Sequence, residues 1–308
     1  MNEAVVIDEI RRAKDECEKV APQLEVPPST LIHTGPDSSL IYDAHNERIK
    51  IYGMDPSFTE EIVSHNAVPD LAGKVTVYAP SGQQSDWKAA GFEREAVIQS
   101  FYENNDAELW ACYPQEERRE NEKEDFHQEA LDIALSKPVL VSPPALPEGY
   151  RSEVGNAQDS DQIADLLRQT FAEYPSSLDP SIIQEQIQSR ANHFRMVYDD
   201  AGHLAAVASA EIDHERRSAE LTDCATDKTF QGQGLMGYLL AQLETDLARM
   251  FRIKDLYTIA RADEIGINCA FRKLGYDFSG RLVNNCRMPN GWESMNVWCK
   301  ESLTGANS

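Results

Sequence analysis

The sequence predicts an α/β protein of the α+β kind, with a mixed central sheet flanked by helices. Two observations carry this prediction. A strand, a glycine-rich turn and a helix follow one another between residues 219 and 250. Short alternating apolar segments, typical of strands, and longer segments with apolar residues at helical spacing also succeed one another along the chain. At 308 residues, the chain is long enough for one large domain or two ordinary ones.

The N-terminal half is predicted to alternate helices and strands. The predicted elements are a charged helix over 3–20, strands within 31–52, a helix after Pro56, a strand over Val75–Tyr78, a helix over 86–92 and a charged helix over 115–136. A charge run such as the one in the last helix usually marks a solvated face. Four prolines between Lys137 and Tyr150 then indicate a linker. We therefore predict one domain over 1–137, a linker over 138–147 and a second domain over 148–308.

The C-terminal half is predicted to begin with a strand at Tyr150–Val154 and two helices. The later elements are strands over 194–198 and 204–213, the strand over 219–226, its helix to about Met250, a strand over 256–260, a helix that ends at Gly275 and a strand over 293–299, with one more strand expected.

A weak internal repeat relates the two halves. Lys88–Phe92 and Arg272–Tyr276 each follow a strand and end a helix in glycine and an aromatic residue, and an aromatic-rich strand comes after each. One interpretation is that the N-terminal half is a degenerate copy of the other half that has lost the glycine-rich turn. The alternative is chance, because glycine is a common helix C-cap.

The composition indicates a folded and strongly acidic protein. Hydrophobic residues make up 41% of the chain, which is enough for a packed core, and the net charge is −23. Because this charge repels polyanions, we expect no nucleic-acid partner and no attachment to anionic membranes. The N-terminus lacks an apolar signal segment, and no apolar run approaches the roughly 18–20 residues of a membrane span.

Cysteine usage predicts a reducing compartment, so we expect a cytoplasmic location. No two of the six cysteines have Cys-x-x-Cys spacing, and no histidine cluster accompanies them. The same pattern predicts that the protein has no metal site.

The glycine-rich turn predicts a binding site for an anion. Glycines between a strand and a helix let backbone amides approach a ligand closely, and the helix N-terminus adds free N–H groups and the positive end of its dipole. A phosphate or pyrophosphate is the expected guest, and a turn without a ligand is the alternative. The turn matches neither the P-loop nor the dinucleotide-binding pattern.

This stretch resembles the acetyl-CoA loop of the GNAT superfamily, Arg/Gln-x-x-Gly-x-Gly/Ala. Gln231, Gly234 and Met236 fill its positions, although Met stands where Gly or Ala is usual. The predicted order of elements after the linker is also similar to that of the GNAT fold. The resemblance implies acetyl-CoA as co-substrate. The residues implied to bind it are Cys224, Ala225, Thr226, Gln231, Gly232, Gln233, Gly234, Leu235, Met236, Gly237, Asn268 and Phe271.

Several separated motifs make the resemblance more specific. Thr222–Thr226, Gly232–Met236, Asn268–Tyr276, Asn284-Asn285 and Glu293–Trp298 together resemble the β-lysine N-acetyltransferases. This implies acetyl transfer to the side-chain amine of β-lysine, which gives the compatible solute N-acetyl-β-lysine. It also implies a functional link to a lysine aminomutase that supplies the substrate. The oligomeric state is left open, a homodimer included.

Two carboxylates are candidates for the base of acetyl transfer. Glu211 shares a strand face with Ser209 and Asp213 by alternation, and GNAT enzymes often carry a carboxylate on this strand. Asp223 lies in an otherwise apolar strand, where a carboxylate is costly unless it is paired or functional. The alternatives are a solvent-facing side chain for Glu211 and a structural partner of the turn for Asp223.

The predicted acceptor-binding residues are one tyrosine and a group of polar side chains late in the chain. They are Tyr174, Asn284, Asn285, Glu293 and Asn296. Turn asparagines, an exposed strand residue and a helix terminator are the alternatives. Phe271 stands where GNAT enzymes usually carry the tyrosine that protonates the leaving thiolate. Three hypotheses stay open: a β-lysine acetyltransferase, a GNAT enzyme for another small amine or amino acid, and a CoA-binding module without turnover.

Overall fold

The computed structural model describes residues 2–20, 26, 29–102, 105–171, 174, 177–253 and 255–300. The last eight residues of the predicted second domain, 301–308, lie outside them. The described residues form two mixed β-sheets, one of six strands from the N-terminal half and one of seven strands from the C-terminal half. The predicted fold class, a mixed sheet flanked by helices in each half, is confirmed.

The N-terminal half contains six strands and five helices within the described ranges. They are α1 (Glu3–Val20), β1 (Thr30–His33), β2 (Ser39–Asp43), β3 (Arg48–Tyr52), α2 (Pro56–Val63), α3 (Val68–Leu71), β4 (Lys74–Pro80), α4 (Gln84–Ala89), β5 (Glu93–Tyr102), β6 (Asn105–Cys112), a 3₁₀ turn (Glu116–Arg119) and α5 (Glu124–Leu135).

The N-terminal sheet has the strand order β1-β2-β3-β4-β6-β5, in which only β3 and β4 are parallel. The helices α1 to α4 cover one face of this sheet, because alternate residues of the strands are apolar. Ile49, Ile51, Val75 and Val77 are fully buried in that core. The other face carries polar and aromatic residues and packs against the C-terminal half.

The C-terminal half contains seven strands and four helices in the part of the chain that is described. They are β7 (Tyr150–Val154), a 3₁₀ turn (Ala157–Asp159), α6 (Ser160–Thr170), α7 (Pro180–Ser189), β8 (Asn192–Asp199), β9 (Leu204–Asp213), β10 (Ser218–Thr226), a 3₁₀ turn (Lys228–Phe230), α8 (Leu235–Asp246) with a π turn (Leu247–Phe251), β11 (Asp255–Arg261), α9 (Ile265–Lys273), β12 (Asp277–Met288) and β13 (Gly291–Lys300).

The C-terminal sheet has the order β12-β13-β11-β10-β9-β8-β7, in which only β10 and β11 are parallel. The helices α5, α8 and α9 contribute to one apolar core against this sheet, and α6 and α7 contribute to another. The predicted order of elements after the linker is confirmed, and the extra strand that was expected is β12.

The two sheets repeat one topology. Strands β1 to β6 take the places of β8 to β13, including the single parallel pair and the final hairpin. Both hairpins are irregular at equivalent positions, since β5 shifts register just before Ala96 and β12 just before Gly280. Ser100 and Asn284, at equal distances further along, both have positive φ. The predicted internal repeat is therefore present in the fold, while the predicted domain limits stay a prediction.

The two halves pack through β5 and β12 in a reciprocal way. The Ser279 hydroxyl on β12 bonds to the backbone of Val97 on β5. Glu95, which is the equivalent of Ser279, accepts a hydrogen bond from the backbone N–H of Val283 at 2.8 Å. At Gly280 the strands are so close that an added Cβ would lie 2.1 Å from the carbonyl oxygen of Glu95.

The helix predicted over 115–136 is shorter than expected, because the 3₁₀ turn and α5 replace it. Arg118, in the 3₁₀ turn, is buried rather than solvated. Its Nε donates to the carbonyl oxygen of Asn284 at 2.8 Å, and its Nη2 donates to that of Asn46 at 2.9 Å. The expectation of a solvated face was therefore wrong at Arg118, whose charge binds carbonyl groups of both halves.

We expect Gly280→Ala to destabilise the protein, because the methyl group would push β12 away from β5. Gly291→Ala is the matched control, since Gly291 also has positive φ but its added Cβ would have no neighbour within 4 Å. Urea unfolding should show that Gly280→Ala costs about 1–3 kcal/mol more than the control. Equal losses would mean that the two backbones do not press together at this position.

Candidate active site

At the start of α8, where the glycine-rich turn ends, no side chain of the N-cap residue accepts a hydrogen bond from the backbone amides. Gly232 and Gly234 have φ values of 77° and 81°, in the region that favours glycine. A Cβ on either residue would meet no protein atom within 4 Å, so open space lies beside the turn. Gly234 is the N-cap of α8 and makes no side-chain capping bond. The amides of Leu235, Met236 and Gly237 that follow can therefore receive an anion.

The side chains around this turn hold it in place. The Gln233 side-chain oxygen accepts a hydrogen bond from the Tyr150 hydroxyl at 2.6 Å, and the Gln231 side chain donates to the carbonyl oxygen of Thr226 at 3.4 Å. Ala225 is fully buried, so only its backbone can face a ligand. The structure thus brings the predicted loop residues together beside open space, and their role in cofactor binding stays a prediction.

Strands β10 and β11 separate beside this turn. Their parallel pairing runs from Ser218 to Glu220 only, although β10 continues to Thr226. On the other side of β10, the pairing with β9 is interrupted between Thr222 and Ala225. Asp223 and Cys224 therefore form a bulge, in which Asp223 has a φ of 49°. Backbone groups of this segment are left without a β11 partner and can bind an extended ligand that enters the gap.

Two carboxylates lie directly opposite each other on the face of the sheet that turns toward the N-terminal half. Glu211 on β9 pairs in register with Glu220 on β10, and Glu220 pairs in turn with Tyr257 on β11. Tyr257 packs in the apolar cluster that joins the two halves, which fixes the direction of this face. Like charges directly opposite each other are destabilising in a sheet, so a cation held between these two side chains would stabilise their charged forms.

The surroundings raise the pKa of both carboxyl groups. Glu211 is open to solvent on one side. Burial of the other side is the largest cause of its raised pKa, and the charges of Asp223 and Asp213 add to it. The charge of Lys50 acts in the opposite direction. Burial is also the largest cause of the raised pKa of Glu220, followed by the charge of Glu211. A carboxylate with a raised pKa is a stronger base, which suits the removal of a proton from an ammonium group.

Asp223 is bound on both of its carboxylate oxygens. The Tyr174 hydroxyl donates to Oδ1, and the Ser209 hydroxyl donates to Oδ2 at 2.5 Å. Burial raises the pKa of Asp223, and these two hydrogen bonds lower it. The structure therefore brings the predicted residues Tyr174 and Asp223 together beside Glu211. Because its oxygens are occupied, Asp223 is less available as a base than Glu211.

The N-terminal half contributes to the same face. Arg48, Lys50 and Tyr52 alternate with the buried isoleucines of β3 and point toward the C-terminal half. Lys50 interacts electrostatically with Glu211 and Glu220. Arg48, Lys50 and Tyr52 were not predicted as functional residues. Lys50 could have been found, because a lysine between two isoleucines in a strand raises the same question as Asp223 in its apolar strand.

Two predicted cofactor residues belong to the core instead. Phe271 is fully buried, and its ring packs on that of Tyr276 at 5.1 Å. Asn268 is also buried, donates to two backbone carbonyls, and accepts bonds from Asn296 at 3.0 Å and Trp298 at 2.8 Å. Its side chain is therefore saturated, and it ties α9 to the sheet. Asn296, predicted to bind the acceptor, belongs to this same network.

The three other predicted acceptor residues late in the chain are structural as well. The Asn284 side-chain amide donates to the backbone carbonyl oxygens of Arg118 and Glu120. Glu293 holds Arg261 through two bonds of 2.6 Å and 2.9 Å. Asn285 is buried, its backbone carbonyl oxygen accepts from Arg48, and its side-chain oxygen has no hydrogen-bond partner among the described residues. All three lie on β12 or β13, with β11 between them and the carboxylates, so the structure does not bring them to the site.

Comparisons with known proteins agree with this geometry. A profile of the acetyltransferase (GNAT) family matches residues 160–276. The β-lysine N(6)-acetyltransferase of Methanosarcina mazei is 35% identical over 250 residues, which cover 74% of this chain and 91% of that protein. The chain belongs to the GNAT acetyltransferase family. It catalyses acetyl transfer, and the matched segment contains Glu211, Asp223 and the glycine-rich turn.

This chain matches two further relatives over almost their whole length. The N-acetyltransferase YodP of Bacillus subtilis is 28% identical over 271 residues, covering 87% of this chain and 97% of that protein. A β-lysine N(6)-acetyltransferase of Methanococcus maripaludis is 29% identical over 272 residues, covering 86% and 97%. Among solved structures, a spermidine N-acetyltransferase from Vibrio cholerae with CoA and spermine is 16% identical and covers 51% of this chain and 97% of that one, with a TM-score of 0.44.

In this GNAT protein, the turn of the N-terminal half that matches the glycine-rich turn, at residues 53–58, forms no equivalent anion site. At the matching turn, the Asp55 carboxylate caps α2 by accepting from the backbone N–H of Phe58 at 2.9 Å, and Pro56 removes one amide. Gly53 is packed so tightly that a Cβ would lie 2.0 Å from the carbonyl oxygen of Asp37. A carboxylate at the helix N-terminus repels phosphate, which agrees with the prediction of a degenerate half.

No group of three or more His, Cys, Asp or Glu side chains in the described ranges is placed to hold a metal ion. Nor is any helix in those ranges long and apolar enough to cross a membrane.

We expect Gly234→Val to abolish CoA binding while the protein stays folded. The added side chain would occupy the open space that a phosphate needs beside the turn. Gly202→Val is the matched control, because Gly202 also has a positive φ of 87° and an open Cβ position, but lies in the turn between β8 and β9. Calorimetry should show parental affinity for the control. CoA binding by Gly234→Val at the parental affinity would show that the turn does not bind the phosphates.

Proposed function

We propose that this enzyme transfers the acetyl group of acetyl-CoA to the side-chain amine of β-lysine and so makes N-acetyl-β-lysine. The observation that carries the proposal is the pair of carboxylates Glu211 and Glu220, which lies where the pairing of β10 with β11 ends. A diamine brings two ammonium groups, which opposite carboxylates bind well. The two relatives named β-lysine N(6)-acetyltransferases, which this chain covers almost entirely, support this acceptor.

The proposed reaction assigns the cofactor to the glycine-rich turn and the proton transfer to Glu211. The pyrophosphate of acetyl-CoA would bind the amides at the start of α8, and its thioester arm would enter the gap beside Asp223 and Cys224. The acceptor amine has an ordinary pKa of about 10.4, so at neutral pH nearly all of it is protonated. Glu211 takes the proton, directly or through a water molecule. Phe271 cannot protonate the thiolate, because it has no acidic group.

The product suggests a physiological role. N-acetyl-β-lysine is a neutral, highly soluble compatible solute, and a strongly acidic protein with a net charge of −23 suits a concentrated cytoplasm. A lysine aminomutase that converts lysine to β-lysine would supply the acceptor. We propose a cytoplasmic location on the same grounds, and the pairing of subunits stays open.

The first experiment is an amine panel. Thiol release from acetyl-CoA should be fastest with β-lysine, slower with lysine and slowest with spermidine and with diamines that lack a carboxylate. Mass spectrometry of the product should find the acetyl group on the terminal side-chain amine. A higher kcat/KM for spermidine would replace β-lysine by a polyamine as acceptor. CoA binding without thiol release from any amine would indicate a binding module without turnover.

We expect Glu211→Gln to lower kcat by about 10²–10⁴ without changing the affinity for acetyl-CoA, because general-base catalysis contributes that factor. Since its surroundings raise the pKa of Glu211, the parent should lose activity on the acid side at a pH above the ordinary range of a glutamate. That limb should be absent from the variant. Glu215→Gln, an exposed position in the next turn, is the matched control. If Glu211→Gln keeps most of its activity at every pH, Asp223 becomes the candidate base.

A further inference from the structure

The side chains that β3 and β4 direct at the C-terminal half include three cations, and two of them are already paired. Arg48 binds Asp43 at 2.6 Å and also donates to the carbonyl oxygen of Asn285. Lys74 binds Glu95 at 2.7 Å and also donates to the carbonyl oxygen of Val283. These two side chains are structural, because their donors are used to join the halves.

Lys50 is different, because no described carboxylate lies within 4.0 Å of its ammonium group. It lies between Arg48 and Tyr52 on the inward face of β3, and at longer range it interacts with Asp43 of its own half and with Glu211 and Glu220 of the opposite sheet. Burial and the charge of Arg48 lower the pKa of Lys50, while Asp43 and Glu220 raise it, so an anion brought by a ligand would stabilise the ammonium form.

Two further described cations near this face, Arg118 and Arg216, are engaged: Arg118 donates to the carbonyl oxygens of Asn284 and Asn46. Arg216, in the turn between β9 and β10, forms an ion pair with Asp213. Its guanidinium group also lies 5.3 Å to 5.8 Å from the ring centres of Tyr52, Phe101 and Tyr102 of the N-terminal half. Lys50 is therefore the cation that is free to meet a ligand between the halves.

We propose that Lys50 binds the carboxylate of the acceptor and so makes the enzyme select amines that carry a carboxylate over simple polyamines. The inference rests on the proposed function. The site then matches the acceptor group by group: the carboxylates of the C-terminal half receive the ammonium groups, and the N-terminal half receives the single negative charge. A polyamine would present a further ammonium group to Lys50 and would be repelled.

The inference also gives the N-terminal half a role. Its own turn carries Asp55 in place of an open anion site, so it does not duplicate the cofactor loop. It has kept the packing that holds β3 against the catalytic sheet. On this view the half is a selectivity element, and the cofactor and the base belong to the other half.

The test compares β-lysine with β-lysinamide, in which both amines remain and the negative charge is removed. The parent should prefer β-lysine in kcat/KM by about 10-fold to 100-fold, as expected for a hydrogen bond between charged groups. Lys50→Gln should reduce this preference to about one and leave acetyl-CoA binding unchanged; any change in the pKa of Glu211, which Lys50 lowers, should affect both acceptors alike. Lys88→Gln, an exposed lysine on α4, is the matched control and should keep the preference.

Charge reversal guards against loss of activity through misfolding. Lys50→Glu should acetylate spermidine better than the parent does, and a gain of this kind cannot come from an unfolded protein. Lys50→Gln with the full parental preference, or with equal losses for β-lysine and its amide, would overturn the assignment. A parent that does not acetylate β-lysine at all would instead reject the proposed function, and the role of Lys50 with it.

Discussion

The repulsion between Glu211 and Glu220 is the constraint on which the rest of the site depends. The register of β9 and β10 places these carboxylates directly opposite each other on one face of the sheet. Burial raises the pKa of both carboxyl groups, the charge of Glu211 raises that of Glu220 further, and Lys50 of the N-terminal half lowers both at longer range. The site therefore needs both halves, although the cofactor loop and the base belong to one of them.

The halves are held in this arrangement by buried cations that donate to backbone carbonyls. Arg48, Lys74 and Arg118 each reach a carbonyl oxygen on the irregular part of β12, at residues 283–285. The shift of register there frees carbonyl groups that a regular strand would have used in pairing. Buried charges need such acceptors, so the bulge and the arginines depend on one another. Separating the halves would expose these groups, which explains why the two sheets form one unit.

Much of the fold and the cofactor loop could be predicted from the sequence. Apolar alternation predicted β9 at its observed bounds, and the glycines predicted the turn at the start of α8. The polar residues late in the chain could not be assigned, because Asn268, Asn284 and Glu293 look alike in a sequence whether they bind a ligand or another side chain. Their partners are tens of residues away or in the other half, so these hydrogen bonds cannot be predicted from local sequence patterns. Lys50 differs from these residues, because its place between two isoleucines of a strand was a local signal, although its neighbours Glu211 and Glu220 are far from it in the chain.

The reciprocal contact of β5 and β12 joins two similar halves of one polypeptide in the way that a symmetric interface joins two identical subunits. In a pair of identical chains every substitution appears on both sides, so an acceptor site cannot change without changing its symmetric counterpart. Here the two copies are encoded separately, and Asp55 and Pro56 stand in one where Gly234 and Leu235 stand in the other. The fused arrangement thus lets one copy vary while the other stays constant. For an engineer who wants a new acceptor, the inward face of β3 is the region to diversify.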